Sequence, residues 1–404
     1  MSVIAPFAAL RPTPATVGRV AAVPYDVVNS AEAAALAEGE PLSFLRVSRP
    51  EIECPPGTPI YSDAVYARAA DNFDRLRRAA PLVVEDAPSV YVYRLTMGGH
   101  VQTGVAAAFS VDEYAGGLIK KHEKTRPDKE DDRTRHILTL RAQTGPVFLT
   151  YRASAAVDAA VARVVATAPL FDFTAIDGVR HEVWRGGAAD AAALVEAFAA
   201  VPALYIADGH HRAASAWRTH EALAAEGRGE HERFLAVAFP DEQMQVLPYH
   251  RVVRDLHGRS AAAFAAAVAE RFTVTPGGPA APRRKGEVAM YLAGAWSTID
   301  FGPVPADLAA DAALDVSRLQ DGVLTPLLGI TDVRTDKRID FVGGIRGTAE
   351  LERLVDGGAF AVAFSLYPVS VDDLMRIADA GGIMPPKSTW FEPKLRDGVL
   401  SHLV

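Results

Sequence analysis

ALYIADGHHRAASAW, at residues 203–217, is the stretch on which the fold and the function of this chain depend. Its apolar start, with Tyr205 and Ile206, predicts a buried strand, and the alanine-rich part after Arg212 predicts a helix. The polar residues between them therefore lie on the turn from strand to helix. Turns that join rigid elements in this way often carry binding and catalytic residues.

The turn has the chemistry of an anion site. Asp208 is suited to capping the helix, Gly209 lets the backbone approach a ligand, and N–H groups at a helix start attract negative charge. Because His210, His211 and Arg212 add donors and positive charge, the turn predicts a phosphate site. The alternative is a capped helix with a solvated first turn. We expect no metal site made by protein side chains alone, since the i, i+4 ligand spacing is missing.

Composition argues against several classes of protein. The 404 residues are 49% hydrophobic and 23% charged, as in folded globular proteins of two or three domains. The net charge of −8, without an evident helix-turn-helix, argues against a nucleic-acid partner. The single cysteine, Cys54, excludes an intramolecular disulfide and fits a reducing compartment. Because Met1–Pro6 lacks secretory features and no apolar run would span a bilayer, we expect a cytoplasmic protein without a membrane partner.

Alternating strand and helix patterns predict an α/β (α+β) fold with mixed sheets and flanking helices. A hairpin is expected over residues 89–109, and strands are expected at Gly18–Val23 and Ser43–Val47. Residues 276–285, rich in Pro, Gly and Arg, form the clearest compositional break. We therefore expect two regions, at residues 1–275 and 276–404.

Residues 120–136 form a second polar segment with dense mixed charge. A solvated loop and helix face is the ordinary interpretation of such a pattern. In the functional interpretation, Glu123 and the basic groups His122, Lys124 and Arg126 face a highly charged ligand. A carboxylate beside a lysine would supply a base or metal ligand and a charge neutraliser at a phosphate-transfer site.

A third polar segment presents Lys387, Ser388 and Thr389 after two prolines, an ammonium and two hydroxyls that suit phosphate oxygens. The glycine spacing of a P-loop is missing upstream, so a P-loop is excluded, and a surface turn is the alternative. The roles of two isolated residues also stay open. Asp26 is either a turn residue or a carboxylate beside a site, and Arg46 either faces solvent or points into a cleft.

Together these segments resemble one bacterial and archaeal family, catalogued as domain-of-unknown-function family 1015. The similar blocks follow one another over almost the whole chain. They are Val23–Val27, Ser43–Leu45, His122–Thr125, Ala207–Arg212, Asp340–Gly344 and Met384–Thr389 with Phe391.

The Asp-Gly-His-His-Arg block is also similar to the phosphate-binding motif of the ParB/sulfiredoxin superfamily, in particular of its free-serine kinases. This resemblance implies a ParB/sulfiredoxin-like core with added sheet-rich segments. It further implies a kinase that transfers a phosphoryl group from inorganic pyrophosphate or ADP to L-serine, giving O-phospho-L-serine, with Mg²⁺. The ion would be held through the phosphate, with Asp208 as a candidate protein ligand.

The resemblance also implies roles for individual residues. The candidate catalytic residues are Asp26, Glu123, Asp208 and His210, and both Asp26 and Glu123 stay open as the base. The candidate substrate and phosphate ligands are Arg46, His122, Lys124, Thr125, Gly209, His211, Arg212, Lys387, Ser388 and Thr389. We expect the three polar segments to meet in one pocket.

Two alternative functions stay open at this point. A phosphoserine phosphatase would run the same transfer in reverse, and a ParB-like nucleotide-binding switch would bind DNA or a partner protein. The absence of a nucleotide-binding glycine fingerprint favours a compact donor such as pyrophosphate, although ADP or ATP is compatible. A homodimer is also compatible with the sequence.

Overall fold

The computed structural model describes residues 3–80 and 82–404, so Met1, Ser2 and Pro81 lie outside the described residues. The chain divides into two compact units. The first unit comprises Met1–Met244 and Pro393–Val404, and the second unit comprises Gln245–Glu392.

The strands are β1 (Ile4–Ala5), β2 (Leu10–Arg11), β3 (Val83–Val84), β4 (Tyr91–Met97), β5 (His100–Ser110), β6 (Ile119–Lys120), β7 (Ala142–Gln143), β8 (Val147–Tyr151), β9 (Phe171–Thr174), β10 (Arg180–Arg185), β11 (Leu204–Asp208), β12 (Arg233–Pro240), β13 (Gln245–Leu247), β14 (Tyr249–Val253), β15 (Thr273–Pro276), β16 (Glu287–Leu292), β17 (Ala295–Asp300), β18 (Ile339–Gly343), β19 (Val362–Leu366), β20 (Trp390–Glu392) and β21 (His402–Leu403). The α-helices are α1 (Val17–Val20), α2 (Ser30–Ala37), α3 (Leu45–Ser48), α4 (Asp63–Ala79), α5 (Val111–Ala115), α6 (Pro127–Leu140), α7 (Ala155–Val165), α8 (Ala188–Ala199), α9 (His210–Leu223), α10 (Ala261–Ala269), α11 (Asp315–Leu319), α12 (Thr325–Leu328), α13 (Gly347–Asp356) and α14 (Val371–Asp379).

A large mixed sheet forms the centre of the first unit. Its strand order is β6-β11-β8-β12-β5-β4-β10-β9, and β1 pairs with β5. β11 runs parallel to β6, and β12 runs parallel to β8, whereas the other pairs are antiparallel. All five residues of β8 are buried, as expected for a central strand covered on both faces. The mixed α/β fold class is therefore confirmed.

An antiparallel sheet forms the centre of the second unit. Its strand order is β15-β17-β16-β19-β14-β18, and β13 pairs separately with β20. Val252, Leu351 and Ala363 are fully buried in a core cluster of this unit. β14 is an inner strand, because β18 and β19 pair with its two edges.

The observed division differs from the expected boundary after residue 275. β14 and β15 already belong to the sheet of the second unit, although both precede residue 277. The segment at residues 276–285, rich in Pro and Gly, connects β15 towards β16 within that sheet. Its composition therefore indicates a loop inside a unit and not a linker between units.

Two short strands expected from the sequence are wrong. Residues 45–48 form helix α3, which buries Leu45 and Val47, and residues 17–20 form helix α1. Four- or five-residue apolar segments satisfy both the helical and the strand periodicity, so tertiary contacts decide between them. The expected hairpin, in contrast, is confirmed by β4 and β5, which pair from Tyr91 to Met97.

No helix within residues 3–80 or 82–404 is both long enough and apolar enough to cross a membrane.

Candidate functional site

Helix α9 begins at a turn that favours glycine. β11 ends at Asp208, and Gly209 follows at φ +90° before α9 starts at His210. This φ lies in the left-handed region, where a side chain with a Cβ atom is strained. The expected cap by Asp208 is wrong, because Gly209 is the N-cap residue and Asp208 Oδ1 accepts the Gly209 N–H at 2.9 Å. Since no side chain caps α9, its first N–H groups and its dipole favour an anion at this end.

The Asp208 carboxylate lies between two cations. Lys394 Nζ donates to Asp208 Oδ2 at 3.1 Å, and Arg212 Nη2 lies 4.0 Å from the same oxygen. Arg212 also donates to both carboxylate oxygens of Asp26 at 3.2 Å and to the Pro146 carbonyl at 2.6 Å. We name Asp26, Asp208, Arg212 and Lys394 the charge cluster. The two cations have side chains only 8% and 11% exposed, so water screens these pairs weakly.

Contacts within the charge cluster fix its ionisation. Burial alone would raise the pKa of Asp208, but Lys394 and Arg212 hold this pKa well below its ordinary value. Burial similarly acts to lower the pKa of Arg212, whereas Asp26, Asp208 and Asp397 raise it above its ordinary value. At neutral pH Asp208 is therefore a carboxylate and Arg212 a cation. These charges are in place before any ligand binds, which is the arrangement that electrostatic catalysis requires.

Two buried histidines lie beside the turn. The rings of His122 and His210 meet edge to face with their centroids 4.4 Å apart, and the His122 N–H donates to His210 Nε2 at 3.4 Å. Burial lowers the pKa of His122 to about 4, and burial together with His122 lowers the pKa of His210 well below its ordinary value. Because His210 Nε2 accepts a hydrogen bond, the proton of the neutral ring is on Nδ1. Glu123 Oε2 lies 3.8 Å from that nitrogen.

The segment from Lys124 to Arg126 is joined to α9 by another histidine. His211 Nε2 accepts the Arg126 N–H at 3.0 Å, and burial lowers the pKa of His211. The Thr125 hydroxyl donates to Glu130, and Lys124 is exposed. The second polar segment therefore meets the Asp208–Arg212 turn within the first unit, as expected from the sequence.

A cavity of about 40 Å³ adjoins the charge cluster and is lined in part by Ser48, Arg133, Arg212 and Asp397. Asp397 is 2% exposed, and its Oδ1 has no hydrogen-bond partner among the described residues. Burial raises the pKa of Asp397 to about 7, although Arg212 and Arg133 act to lower it. A cavity of this size has room for at least one water molecule. Because of this raised pKa, Asp397 changes its protonation state near neutral pH beside the charge cluster.

Sequence reasoning missed Lys394 and Asp397 as members of the site. Lys394 meets Asp208 across 186 positions of sequence, so no local pattern connects them. The signal that could have pointed to them is their position, because both follow Phe391, the last residue of the similar blocks, within six residues.

The comparison with families of known sequence matches residues 4–317 to the family described as Protein of unknown function (DUF1015). The chain belongs to this family. Lys394 and Asp397 lie beyond the matched residues. The comparison with curated proteins finds no match.

Several solved structures are similar to this DUF1015 protein. A mutant free serine kinase in complex with ADP is 15% identical, with 74% of this chain and 92% of that chain covered and a TM-score of 0.38. SbnI with a C-terminal truncation from Staphylococcus aureus is 12% identical, with 74% and 87% covered and a TM-score of 0.39. A conserved hypothetical protein from Pyrococcus furiosus is 15% identical, with 74% and 95% covered and a TM-score of 0.35.

Other candidate ligands of the DUF1015 protein have separate surroundings. Arg46 lies in α3, where its Nε donates to the Glu40 carbonyl at 3.1 Å, Nη2 donates to the Ala37 carbonyl at 2.7 Å and Nη1 pairs with Glu53 at 2.5 Å. These contacts join α3 to its neighbours and include no residue of the charge cluster. A role for Arg46 in ligand binding stays a prediction.

The third polar segment belongs to the second unit. Lys387 occupies a turn position at φ +60°, and the Ser388 hydroxyl donates to the Pro385 carbonyl at 2.6 Å. Thr389 is half-buried. The expectation that Lys387, Ser388 and Thr389 share a pocket with Asp208 stays a prediction.

Within residues 3–80 and 82–404, no group of three or more His, Cys, Asp or Glu side chains is arranged to hold an ion. Asp208 Oδ1 and Oδ2 already accept hydrogen bonds from Gly209 and Lys394. A Mg²⁺ ion at this site would therefore take most of its ligands from phosphate and water, as Mg²⁺ commonly does.

Proposed function

We propose that this protein is a phosphotransferase that moves a phosphoryl group from inorganic pyrophosphate or ADP to the hydroxyl of free L-serine. The observation that carries the proposal is the uncapped start of α9 beside the charge cluster. Phosphoryl transfer depends mainly on positioning and on charge stabilisation, and this turn offers backbone N–H groups, Arg212 and Lys394 within one short region.

Charge balance supports a donor that brings its own magnesium. Arg212 and Lys394 already have Asp26 and Asp208 as neighbours, so the cluster alone adds little net positive charge. A bare polyanion would therefore be neutralised incompletely. A magnesium-bound pyrophosphate or ADP carries less net charge, and its ion could face the Asp208 carboxylate. We accordingly propose Mg²⁺ as a part of the donor complex rather than as a resident metal.

Glu123 is the better placed of the two candidate bases. Asp26 uses both carboxylate oxygens to accept from Arg212, whereas Glu123 is 45% exposed and lies close to His210. In the proposed reaction Glu123 takes the proton of the serine hydroxyl, the serine oxygen forms a bond to phosphorus and the bond to the leaving phosphate or AMP breaks. Neutral His210, with its proton on Nδ1, would orient Glu123 once their 3.8 Å separation shortens to hydrogen-bond distance.

The test is a direct assay of the full chain with Mg²⁺, L-serine and either pyrophosphate or ADP. Phosphorus NMR and mass spectrometry should detect O-phosphoserine together with phosphate or AMP. We include ADP because free serine kinases are solved with it. Absence of phosphoserine with both donors would contradict the proposal.

Variants test the roles of the carboxylates. Glu123→Gln should lower kcat by about 10²- to 10⁴-fold with little change in KM, since it removes proton transfer alone. Asp208→Asn should abolish the transfer, because it removes the charge between Lys394 and Arg212. Asp112→Asn changes an exposed carboxylate in α5 and is the matched control, with activity expected to equal that of the wild type. An unchanged kcat in Glu123→Gln would move the role of the base to Asp26.

A further inference from the structure

An arginine is buried in the sheet of the second unit without an acidic partner among the described residues. Arg251 is 3% exposed and lies on the inner strand β14. Its guanidinium donates to the Tyr249 carbonyl and, at 3.4 Å, to the Pro386 carbonyl. No carboxylate pairs with it anywhere in residues 3–80 and 82–404. Buried charges in proteins are normally paired, because an unpaired one loses its hydration without compensation.

The strand register explains why the surroundings of Arg251 are apolar. Phe341 on β18 and Phe364 on β19 are its direct cross-strand partners. The guanidinium carbon lies 5.2 Å from the centroid of the Phe341 ring. An arginine between two phenylalanines gains a cation–π contact but no countercharge. Consistent with this, burial lowers the pKa of Arg251 to about 9, and Tyr249 only partly opposes that shift.

The segment carrying Lys387 brings a second cation to the same region. Lys387 Nζ lies 5.3 Å from the centroid of the Tyr249 ring, and Trp390 meets that ring edge to face at 5.2 Å. Pro386, next to Lys387, is the residue whose carbonyl Arg251 contacts. Two cations and an aromatic wall are thereby gathered from β14, β18 and residues 386–390.

We infer that Arg251, Tyr249, Phe341, Lys387 and Trp390 form an oxyanion site of the second unit, which takes the carboxylate or phosphate group of a small ligand. An oxyanion supplies the missing countercharge, and the planar guanidinium can bind two of its oxygens at once. This site does not depend on the phosphoryl transfer proposed above. It also gives the Lys387 segment a role within its own unit.

Hydrogen–deuterium exchange of the full chain tests the inference. Inorganic phosphate and acetate serve as separate probes, one for each oxyanion chemistry. At least one should slow amide exchange at residues 249–252 and 385–391. Slowing by phosphate alone assigns the site to phosphate, and slowing by acetate alone assigns it to a carboxylate. If neither probe slows exchange in these residues of the wild type, the inference is overturned.

Variants locate the effect on Arg251. Arg251→Met should weaken binding of the effective probe about 10- to 100-fold, the change expected for losing a charge-assisted hydrogen-bonded pair. Phosphate-dependent slowing at the start of α9 should persist in this variant. Arg254→Met is the matched control, because Arg254 also lies over an aromatic ring, at 4.7 Å from Phe360, but is exposed.

A second variant keeps the test open if Arg251→Met does not fold. Lys387 lies in an exposed turn, and Lys387→Gln should weaken binding of the same probe several-fold. Equal binding by the wild type and Lys387→Gln, together with equal binding by any folded variant of Arg251, would overturn the site.

Discussion

The buried cations of the charge cluster in the first unit and Arg251 in the second unit have opposite surroundings. Arg212 and Lys394 are surrounded by carboxylates, and their fields hold Asp208 ionised. Arg251 has aromatic neighbours and two backbone carbonyls instead. The first arrangement is complete within the described residues, whereas the second has no negative partner among them. The comparison indicates that one site is preorganised by the chain and that the other is completed by a ligand.

The largest expected effect is the difference in stability between Arg212→Met and Arg251→Met. Arg212→Met should lower the free energy of unfolding by about 3 kcal/mol, because it removes the buried cation that the partly exposed Asp26 and Asp208 share. Arg251→Met should leave the free energy of unfolding within about 1 kcal/mol of the wild type or raise it, since no ion pair is broken. Urea unfolding in a buffer without phosphate or carboxylate measures both. Equal losses in the two variants would remove the contrast.

A smaller effect concerns the proton on Asp397. Its pKa of about 7 in the folded chain lies above its ordinary value of 3.8, so the folded protein holds more protons than the unfolded one between these pH values. Stability should therefore fall as pH rises through this window, by up to about 1.4 kcal/mol per pH unit. Asp397→Asn, which mimics the neutral acid, should flatten this part of the profile. Unfolding at several pH values checks the slope, and an unchanged slope in the variant would show that another group causes it.

The smallest effect concerns the turn that precedes α9. Gly209→Ala should cost about 1–2 kcal/mol, because alanine is strained in the left-handed region. A Cβ atom there would also lie 3.4 Å from the Arg212 guanidinium, which ties the turn to the charge cluster. Gly99→Ala is the control, since Gly99 has no positive φ and a Cβ atom would meet nothing within 4 Å. Thermal unfolding of the two variants should separate them, and equal midpoints would show that the turn tolerates a side chain.

Sequence patterns predicted the elements whose signals are long and unambiguous. The apolar residues 203–207 and the alanine-rich stretch after Arg212 gave β11 and α9 correctly, and the double glycine at residues 98–99 located the hairpin. The predictions for short segments such as Ser43–Val47 were wrong, because the periodicity of such segments fits either a helix or a strand. Their conformation is set by contacts with distant residues, such as the Asn72 side chain that donates to the Arg46 carbonyl.

The site was predictable where its residues are close in sequence. Asp208 to Arg212 are consecutive, and their chemistry alone indicated an anion. The approach of His122 to His210 followed from the resemblance of both blocks to one family, because 88 positions separate them. Lys394 and Asp397 could not be inferred locally, and neither could the pairing of Asp26 with Arg212. Only the folded chain reveals that Arg251 has no countercharge in the described part of the structure, since this depends on its cross-strand neighbours.

The last stretch of the first unit has a consequence for the timing of assembly. Residues 393–404 return to that unit after the whole of Gln245–Glu392, and they carry Lys394 and Asp397. During translation, β11 and α9 leave the ribosome about 185 residues before the lysine that neutralises Asp208. Synthesis runs at about 5–20 residues per second, so Asp208 has Arg212 as a neighbouring cation for roughly ten seconds or more before Lys394 is made. The charge cluster can therefore be completed only after residues 393–404 have been synthesised.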